Sequence, residues 1–129
     1  MGTVKDFEDL KIWQMARELC KDIFLVTCYD HFAKDYKLKD QIKASSGSVM
    51  DNIAEGFERN GNKEFIQFLA IAKGSSGETR SQLCRAFDYG YIGEKEFTEI
   101  WQKAKNLSQS IGAFMSYLSK SEIKGTKYK

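Results

Sequence analysis

His31 is the single histidine in a sequence of 129 residues. Serine-protease-type triads require a histidine as the base, and zinc sites usually combine several histidines or cysteines. The three cysteines, Cys20, Cys28 and Cys84, show no CxxC spacing. Because each lies in a helical pattern, we interpret them as reduced packing residues. These residue types therefore favour neither nucleophilic catalysis nor a transition-metal centre.

Two carboxylate pairs have the spacing that could hold a magnesium ion on a helix. They are Glu55 with Glu58 and Glu96 with Glu99, and residues three apart share a helix face. The same spacing is common on solvated helices, and the heptad pattern turns both pairs outward. The sequence also lacks the Glu-x-x-His pairs of di-iron bundles. We therefore expect no metal, no cofactor and no enzymatic activity.

Small residues interrupt two of the helical segments at their centres. Residues 44–48 read Ala-Ser-Ser-Gly-Ser, and residues 74–77 read Gly-Ser-Ser-Gly. Because glycine costs nearly 1 kcal/mol of helix propensity against alanine, such segments need a compensating role. Close crossing of the two helices is one interpretation. A phosphate cradle is the alternative, although no strand precedes either segment and no GKS or GKT follows.

Polar and mixed rows border the apolar ones on the same two segments. The polar row consists of Gln41, Ser45, Ser48, Asn52, Glu55 and Arg59. It indicates either a hydrogen-bonded seam between two helices or a strip that binds a partner. The mixed row consists of Ile66, Ala70, Lys73, Gly77, Arg80 and Cys84. Its combination of apolar, small and cationic residues suits a subunit interface.

Apolar residues recur at steps of four and three in four segments, which predicts four amphipathic helices. Their approximate ranges are Glu8–Cys28, Leu38–Arg59, Asn62–Tyr89 and Glu94–Ser119. Asp6 is the expected cap of the first helix and Asn62 of the third. Residues 29–35 are expected to form a loop, and Gly90 is suited to a left-handed helix end.

Short connections between long helices require antiparallel neighbours. The sequence therefore predicts an all-α, antiparallel, up-down-up-down four-helix bundle in a single domain, residues 1–119. Residues 120–129 are expected to form a flexible basic tail with a charge of +3, which leaves the bundle at −1. The longest apolar run, residues 23–26, cannot cross a bilayer, and no signal peptide is recognisable, so we expect a cytoplasmic protein without membrane contact.

A second apolar row on the first helix exceeds what one intramolecular seam needs. It consists of Leu10, Trp13, Cys20 and Phe24. A lone bundle would expose part of this row, and large exposed apolar patches usually mark contacts. We therefore expect these residues to form an interface between copies of the chain.

Several motifs together resemble a known family, the bacterial four-helix-bundle proteins encoded by intervening sequences of 23S ribosomal RNA genes. The accessory variability proteins of diversity-generating retroelements look like relatives of that family. The matching motifs extend over nearly the whole chain: Phe7-x-x-Leu10-x-Ile12-Trp13-Gln14-x-Ala16, Leu38-x-x-Gln41-Ile42, Asn52-Ile53-Ala54-Glu55-Gly56 with Arg59, Phe65-x-x-Phe68-Leu69-x-Ile71-Ala72-x-Gly74-Ser75 with Glu78, and Gly90-Tyr91-Ile92.

The resemblance implies a ring of identical subunits, typically a homopentamer, with a nucleic-acid-binding role and no catalysis. Asn52, Glu55 and Glu78 are polar residues of its motifs. The candidate contacts to RNA or DNA phosphates are cationic: Lys43, Arg59, Lys73, Arg80 and Arg85. One departure is Ala44, since such proteins tend to place two cationic residues at 43 and 44. The alternative function is a structural or protein-binding module whose partner is a protein encoded nearby.

Overall fold

A computed structural model of the chain describes residues 4–121, and every regular element in this range is helical. A short 3-10 helix, Phe7–Asp9, precedes the five α-helices. These are α1 (Lys11–Val26), α2 (Asp30–Lys34), α3 (Tyr36–Phe57), α4 (Asn62–Asp88) and α5 (Glu94–Ser121). The predicted all-α fold is confirmed, with one short helix more than expected. None of the described helices is long and apolar enough to cross a membrane.

The apolar rows of the four long helices form the core. The rows predicted by the four-and-three spacing are buried at every position in three helices: Ile12, Ala16, Leu19, Ile23 and Val26 on α1, Leu38, Ile42, Ser46, Val49, Ile53 and Phe57 on α3, and Phe65, Leu69, Ala72, Ser76, Thr79, Leu83 and Ala86 on α4. In the row predicted for α5, Phe97 and Phe114 are only partly buried, whereas the others are buried: Ile100, Ala104, Leu107, Ile111 and Leu118. Hydroxyls in these rows bond across helices: Ser76 donates to the carbonyl of Ala104 at 2.9 Å, and Ser108 donates to Ser76 at 3.0 Å. Periodicity therefore identified most of the core, which also includes Leu10, Phe32 and Ile92.

Contacts between neighbouring helices show that they run in opposite directions. Between α3 and α4, Ser45 bonds to Gln82 whereas Ser48, further along α3, bonds to Ser75, earlier in α4. Between α4 and α5, Asn62 bonds to Leu118 whereas Ser76 bonds to Ala104. Helices α1 and α3 behave likewise, because Cys20 contacts Ser46 and Phe24 contacts Lys43.

The start of the first helix differs from the prediction. Helix α1 begins at Lys11 and not near Glu8, because Leu10 is extended, with a ψ of 129°. Asp6 caps the preceding 3-10 helix in a reciprocal capping box with Asp9. The break lets Leu10 fold into the core, where it is 4% exposed.

The predicted loop at residues 29–35 is wrong in its middle, which forms α2. Phe32 on this helix is fully buried and stacks on Tyr91, with ring centroids 5.3 Å apart. A single aromatic residue cannot display a helical period, so the pattern of the sequence does not reveal this helix.

Glycines with positive φ flank α4. Gly61, at φ +92°, is the residue before the helix, and Gly90, at φ +79°, follows its end as the pattern predicted. Asn62 was predicted to cap α4, which is wrong. It is instead the first residue of the helix, and its side chain donates to the carbonyl of Leu118 at 3.0 Å.

The close crossing of α3 and α4 does not use the glycines at the helix centres. A Cβ atom added at Gly47 or Gly74 would meet nothing within 4 Å. Serines and a threonine form the central contact, while the closest backbone approach is at Gly56, where a Cβ would lie 2.7 Å from the Phe65 ring. Lys120 and Ser121 belong to α5, and the rest of the predicted tail lies outside the described residues.

Candidate nucleic-acid interface

Lys73 and Arg80 lie on the side of α4 that borders α5. They are seven positions apart, or about two helical turns, which puts both side chains on one face. A Cβ atom at Gly112 of α5 would lie 3.4 Å from Cε of Lys73. The guanidinium of Arg80 lies over the Trp101 ring of α5, 5.4 Å from its centroid. The two candidates thus belong to one surface along the α4–α5 boundary.

Trp101 and Lys105 extend this surface, and the sequence reasoning missed both. The ammonium of Lys105 lies 6.0 Å from the centroid of the same Trp101 ring. Trp101 and Lys105 are four positions apart on α5, and this spacing could have indicated that they share a helix face. We call Lys73, Arg80, Trp101 and Lys105 the α4–α5 cationic surface. None of its three cations forms an ion pair with a described residue.

The other three cationic candidates lie elsewhere. Lys43 of α3 covers the ring of Phe24 on α1, 5.5 Å from its centroid. Arg85 bonds weakly to Gln41 of α3 across 3.4 Å, so it lies on the side of α4 that faces α3 and not on the side that borders α5. The five predicted residues therefore do not form a single patch.

Arg59 is already neutralised by its surroundings. Its guanidinium lies 2.9 Å from Glu55 and 3.9 Å from Glu64, and it also covers the ring of Phe68 at 4.8 Å. Glu55, a residue of the predicted polar motif, thus serves as its ion-pair partner. Because two carboxylates balance this cation, Arg59 is a poor phosphate contact.

The polar row of α3 is largely a hydrogen-bonded seam with α4. Ser45 lies 2.8 Å from the Thr79 hydroxyl and 2.6 Å from Oε1 of Gln82. The amide of Asn52 donates to the hydroxyl of Ser48 at 2.9 Å. This outcome favours the seam over the binding strip for the centre of the row. An open groove remains along the seam, and Glu78, the third polar motif residue, lines it.

The two carboxylate pairs lie at opposite ends of the bundle and cannot share a cation. Glu55 and Glu58 are at the end of α3, where α4 begins, whereas Glu96 and Glu99 are in the first turns of α5. Glu96 accepts a hydrogen bond from the hydroxyl of Tyr29, which raises the pKa of that tyrosine. Within residues 4–121, no three histidine, cysteine or acidic residues cluster as a metal site would require.

The apolar row predicted as a subunit interface is mostly occupied within the chain. Leu10 is buried, which corrects its assignment to the outside, and Trp13 packs edge-on against Phe7 at 5.3 Å. The thiol of Cys20 donates to the Ser46 carbonyl, and burial raises its pKa. Of the four, Phe24 alone is largely exposed, at 54%. The structure confirms free cysteines, but Cys28 is exposed and does not pack.

Residues 8–113 match the family model of the 23S rRNA-intervening sequence protein. The chain belongs to this family. The match includes α1 to α4 and most of α5, so it extends over all the elements that form the core. Among proteins with curated descriptions, none matches the sequence.

A solved structure is similar to the family member described here. It is a protein of unknown function from the S23 ribosomal protein family of Bacteroides thetaiotaomicron, with 20% sequence identity and a TM-score of 0.74. The similarity covers 81% of this chain and 97% of that chain. At this level of identity the comparison concerns the fold alone.

Proposed function

We propose that this intervening-sequence protein is a non-enzymatic, self-associating bundle that binds RNA or DNA through the α4–α5 cationic surface. The observation that carries the proposal is the convergence of Lys73, Arg80 and Lys105 along one helix boundary without a described carboxylate partner. Phosphate oxygens are the ligands that such unpaired cations attract.

The geometry favours contact with the phosphate backbone over recognition of bases. Arg80 and Lys105 both lie near the Trp101 ring, which holds their long side chains at the surface. The two cations also restrict access of a nucleobase to that ring. Binding should therefore be indifferent to base sequence, because phosphate contacts position a nucleic acid without reading it.

Self-association would bring together several copies of a surface that binds nucleic acid weakly. One bundle carries a net charge of −1 outside the last ten residues, so a single copy has little bulk attraction for a polyanion. A closed ring repeats the same three cations around its axis, and several weak contacts then bind with avidity. The family resemblance favours five copies.

The test is duplex DNA and structured RNA binding measured by gel shift over a series of salt concentrations. Three phosphates neutralised per subunit give a slope of about −2.7 for log K against log salt on duplex DNA. Lys73→Gln and Lys105→Gln should each weaken binding to all sequences alike and reduce the slope per engaged subunit by about 1. Lys37→Gln, which removes an exposed lysine of α3, is the matched control and should change nothing.

Two outcomes would contradict the proposal. One is the absence of a shift at about 50 mM salt, where the phosphate contribution is strong. The other is equal binding by the wild type and the Lys73→Gln, Lys105→Gln double variant. Removal of residues 120–129 is a separate test. Complete loss of nucleic-acid binding in that deletion would show that these residues, and not the bundle, bind the nucleic acid.

A protein partner is the second candidate, and the end of the bundle around α2 favours it. Phe24, Leu25, Tyr36 and Tyr89 all expose more than half of their surface there. Large exposed apolar side chains of this kind mark a protein contact more often than open solvent. Binding to a protein encoded nearby, unaffected by the lysine variants, would favour this function over nucleic-acid binding.

A further inference from the structure

The groove along the α3–α4 seam lies on a different side of α4 from the cationic surface. It has a volume of about 510 Å³ and is open to solvent. Small side chains leave this space, because Ala44, Ser48 and Ser81 occupy positions where longer residues would fill it. Gln82 and Ser75 lie at its floor and are both nearly buried.

Two hydrogen-bond donors of this groove have no acceptor among the described residues. The hydroxyl of Ser45 donates to Oε1 of Gln82 across 2.6 Å, a length typical of O–H···O bonds, so the amide nitrogen of Gln82 points away from Ser45. Gln82 is only 6% exposed, and its amide nitrogen has no hydrogen-bond partner in residues 4–121. Because Gln82 lines the groove, this amide nitrogen faces the open space of the groove, where a ligand or water can accept a hydrogen bond from it.

Ser48 supplies the second donor. Its oxygen accepts hydrogen bonds from the Asn52 amide and from the Ser75 hydroxyl, both at 2.9 Å. These two bonds occupy the lone pairs of the hydroxyl oxygen. The proton of Ser48 is therefore left for an acceptor in the groove, and no described residue provides one.

Opposite charges stand at two positions along the groove. Arg85 lies at one end, with a single long hydrogen bond to Gln41, and Glu78 lies two helical turns away, between Gln82 and Ser75. Neither forms an ion pair with a described residue. The two residues are seven positions apart on α4, so their backbones are separated by about 10 Å along the helix axis.

We propose that the α3–α4 groove binds a small zwitterion whose carboxylate and cationic group are several bonds apart. Arg85 and the Gln82 amide would hold the carboxylate, since both donate hydrogen bonds. Glu78 would hold the ammonium or guanidinium end. A purely anionic ligand such as phosphate is disfavoured, because Glu78 would repel it. Basic amino acids and short peptides have the required chemistry.

Calorimetry on the full chain with three matched probes tests this proposal. The probes are ε-aminocaproate, which carries both charges, caproate, which carries only the carboxylate, and hexylamine, which carries only the ammonium group. ε-Aminocaproate should bind more tightly than either of the others. Equal or weaker binding of ε-aminocaproate, or no heat at millimolar concentrations of any probe, overturns the proposal.

Two variants test the roles of the two charged residues in the groove. Arg85→Gln should weaken ε-aminocaproate binding up to about fivefold while strengthening hexylamine binding, and Glu78→Gln should weaken ε-aminocaproate while strengthening caproate. This opposite pattern would not arise from general loss of structure. Unchanged ε-aminocaproate affinity in either variant contradicts the assignment.

Lys73→Gln is the matched control, since it removes a cation from the other side of the same helix. It should leave ε-aminocaproate binding unchanged and weaken nucleic-acid binding, whereas Arg85→Gln should do the reverse. The two proposals therefore fail separately. If a second copy of the chain covers the groove in solution, ε-aminocaproate will not bind and the groove proposal is wrong.

Discussion

At the scale of single residues, glycines that look alike in the sequence have opposite roles. Gly56 permits α3 to approach Phe65 and Phe68, since an added Cβ would lie 2.7 and 2.8 Å from their atoms. At Gly47, nine residues earlier on α3, an added Cβ would point into open space. The first glycine is required by packing and the second is not.

Alanine substitution should separate these two glycines. Gly56→Ala forces the aromatic residues or the helix to move and should reduce the free energy of unfolding by about 1–3 kcal/mol. Gly47→Ala should increase it by about 0.5–1 kcal/mol, because alanine is the better helix former. Urea unfolding followed by circular dichroism measures both. Equal effects of the two substitutions would contradict the packing at Gly56.

Asp35 joins the start of α3 to the segment after α4. Its carboxylate accepts from the Leu38 backbone at 3.1 Å and from the Tyr91 hydroxyl at 2.8 Å. These bonds hold the pKa of Asp35 below its ordinary value, whereas the same contact raises the pKa of Tyr91. The ionised carboxylate of Asp35 therefore stabilises the fold.

The sign of the resulting pH dependence follows from the lowered pKa of Asp35. Its stabilisation is present above the pKa of the unfolded chain, about 3.9, and is lost as the pH falls through the lower folded value. In Asp35→Asn the free energy of unfolding should fall less steeply with decreasing pH in this acidic range. Asp40→Asn, at an exposed position of the same helix, is the control. Identical acid unfolding of the wild type and Asp35→Asn would refute the contribution.

At the scale of elements, the short helix α2 closes one end of the bundle. It contributes Phe32, which is completely buried against Tyr91. Phe32→Ala should reduce the free energy of unfolding by about 3–5 kcal/mol, as expected for a fully buried aromatic residue. Tyr36→Ala, at a side chain that is 68% exposed, is the control and should cost far less. Thermal unfolding of the two variants checks this, and a small loss for Phe32→Ala would mean that α2 is dispensable.

At the scale of the whole molecule, the proposed self-association can be tested at the exposed apolar residues near the end of α1. Phe24 and Leu25 are adjacent at the end of α1 and are 54% and 60% exposed. Replacing both by serine should lower the molar mass measured by light scattering at micromolar concentration. Ile71→Ser, at a comparably exposed position of α4, is the control. A monomeric wild type would refute self-association, and a dimer or tetramer would refute the number five.

The sequence by itself determined the four long helices, their core faces and the family. A helical backbone returns to the same face every three to four residues, so spacing alone indicates which residues are buried together. Short connections between such helices then leave few possible arrangements. This is why all the residues predicted to be buried on α1 are buried in the structure: Ile12, Ala16, Leu19, Ile23 and Val26.

Only the tertiary structure decided what lies between the rows. Leu10, Phe32 and Gln82 are buried by neighbours from distant parts of the chain, and no local period reports such neighbours. The same applies to charge: Arg59 is neutralised by Glu64 of another helix, whereas Arg80 lies over Trp101 without a described carboxylate partner. Electrostatic and hydrogen-bonding energies depend on distances of a few ångströms between side chains. Those distances are set by how the helices pack, which is why only the fold showed which of the candidate residues share a surface.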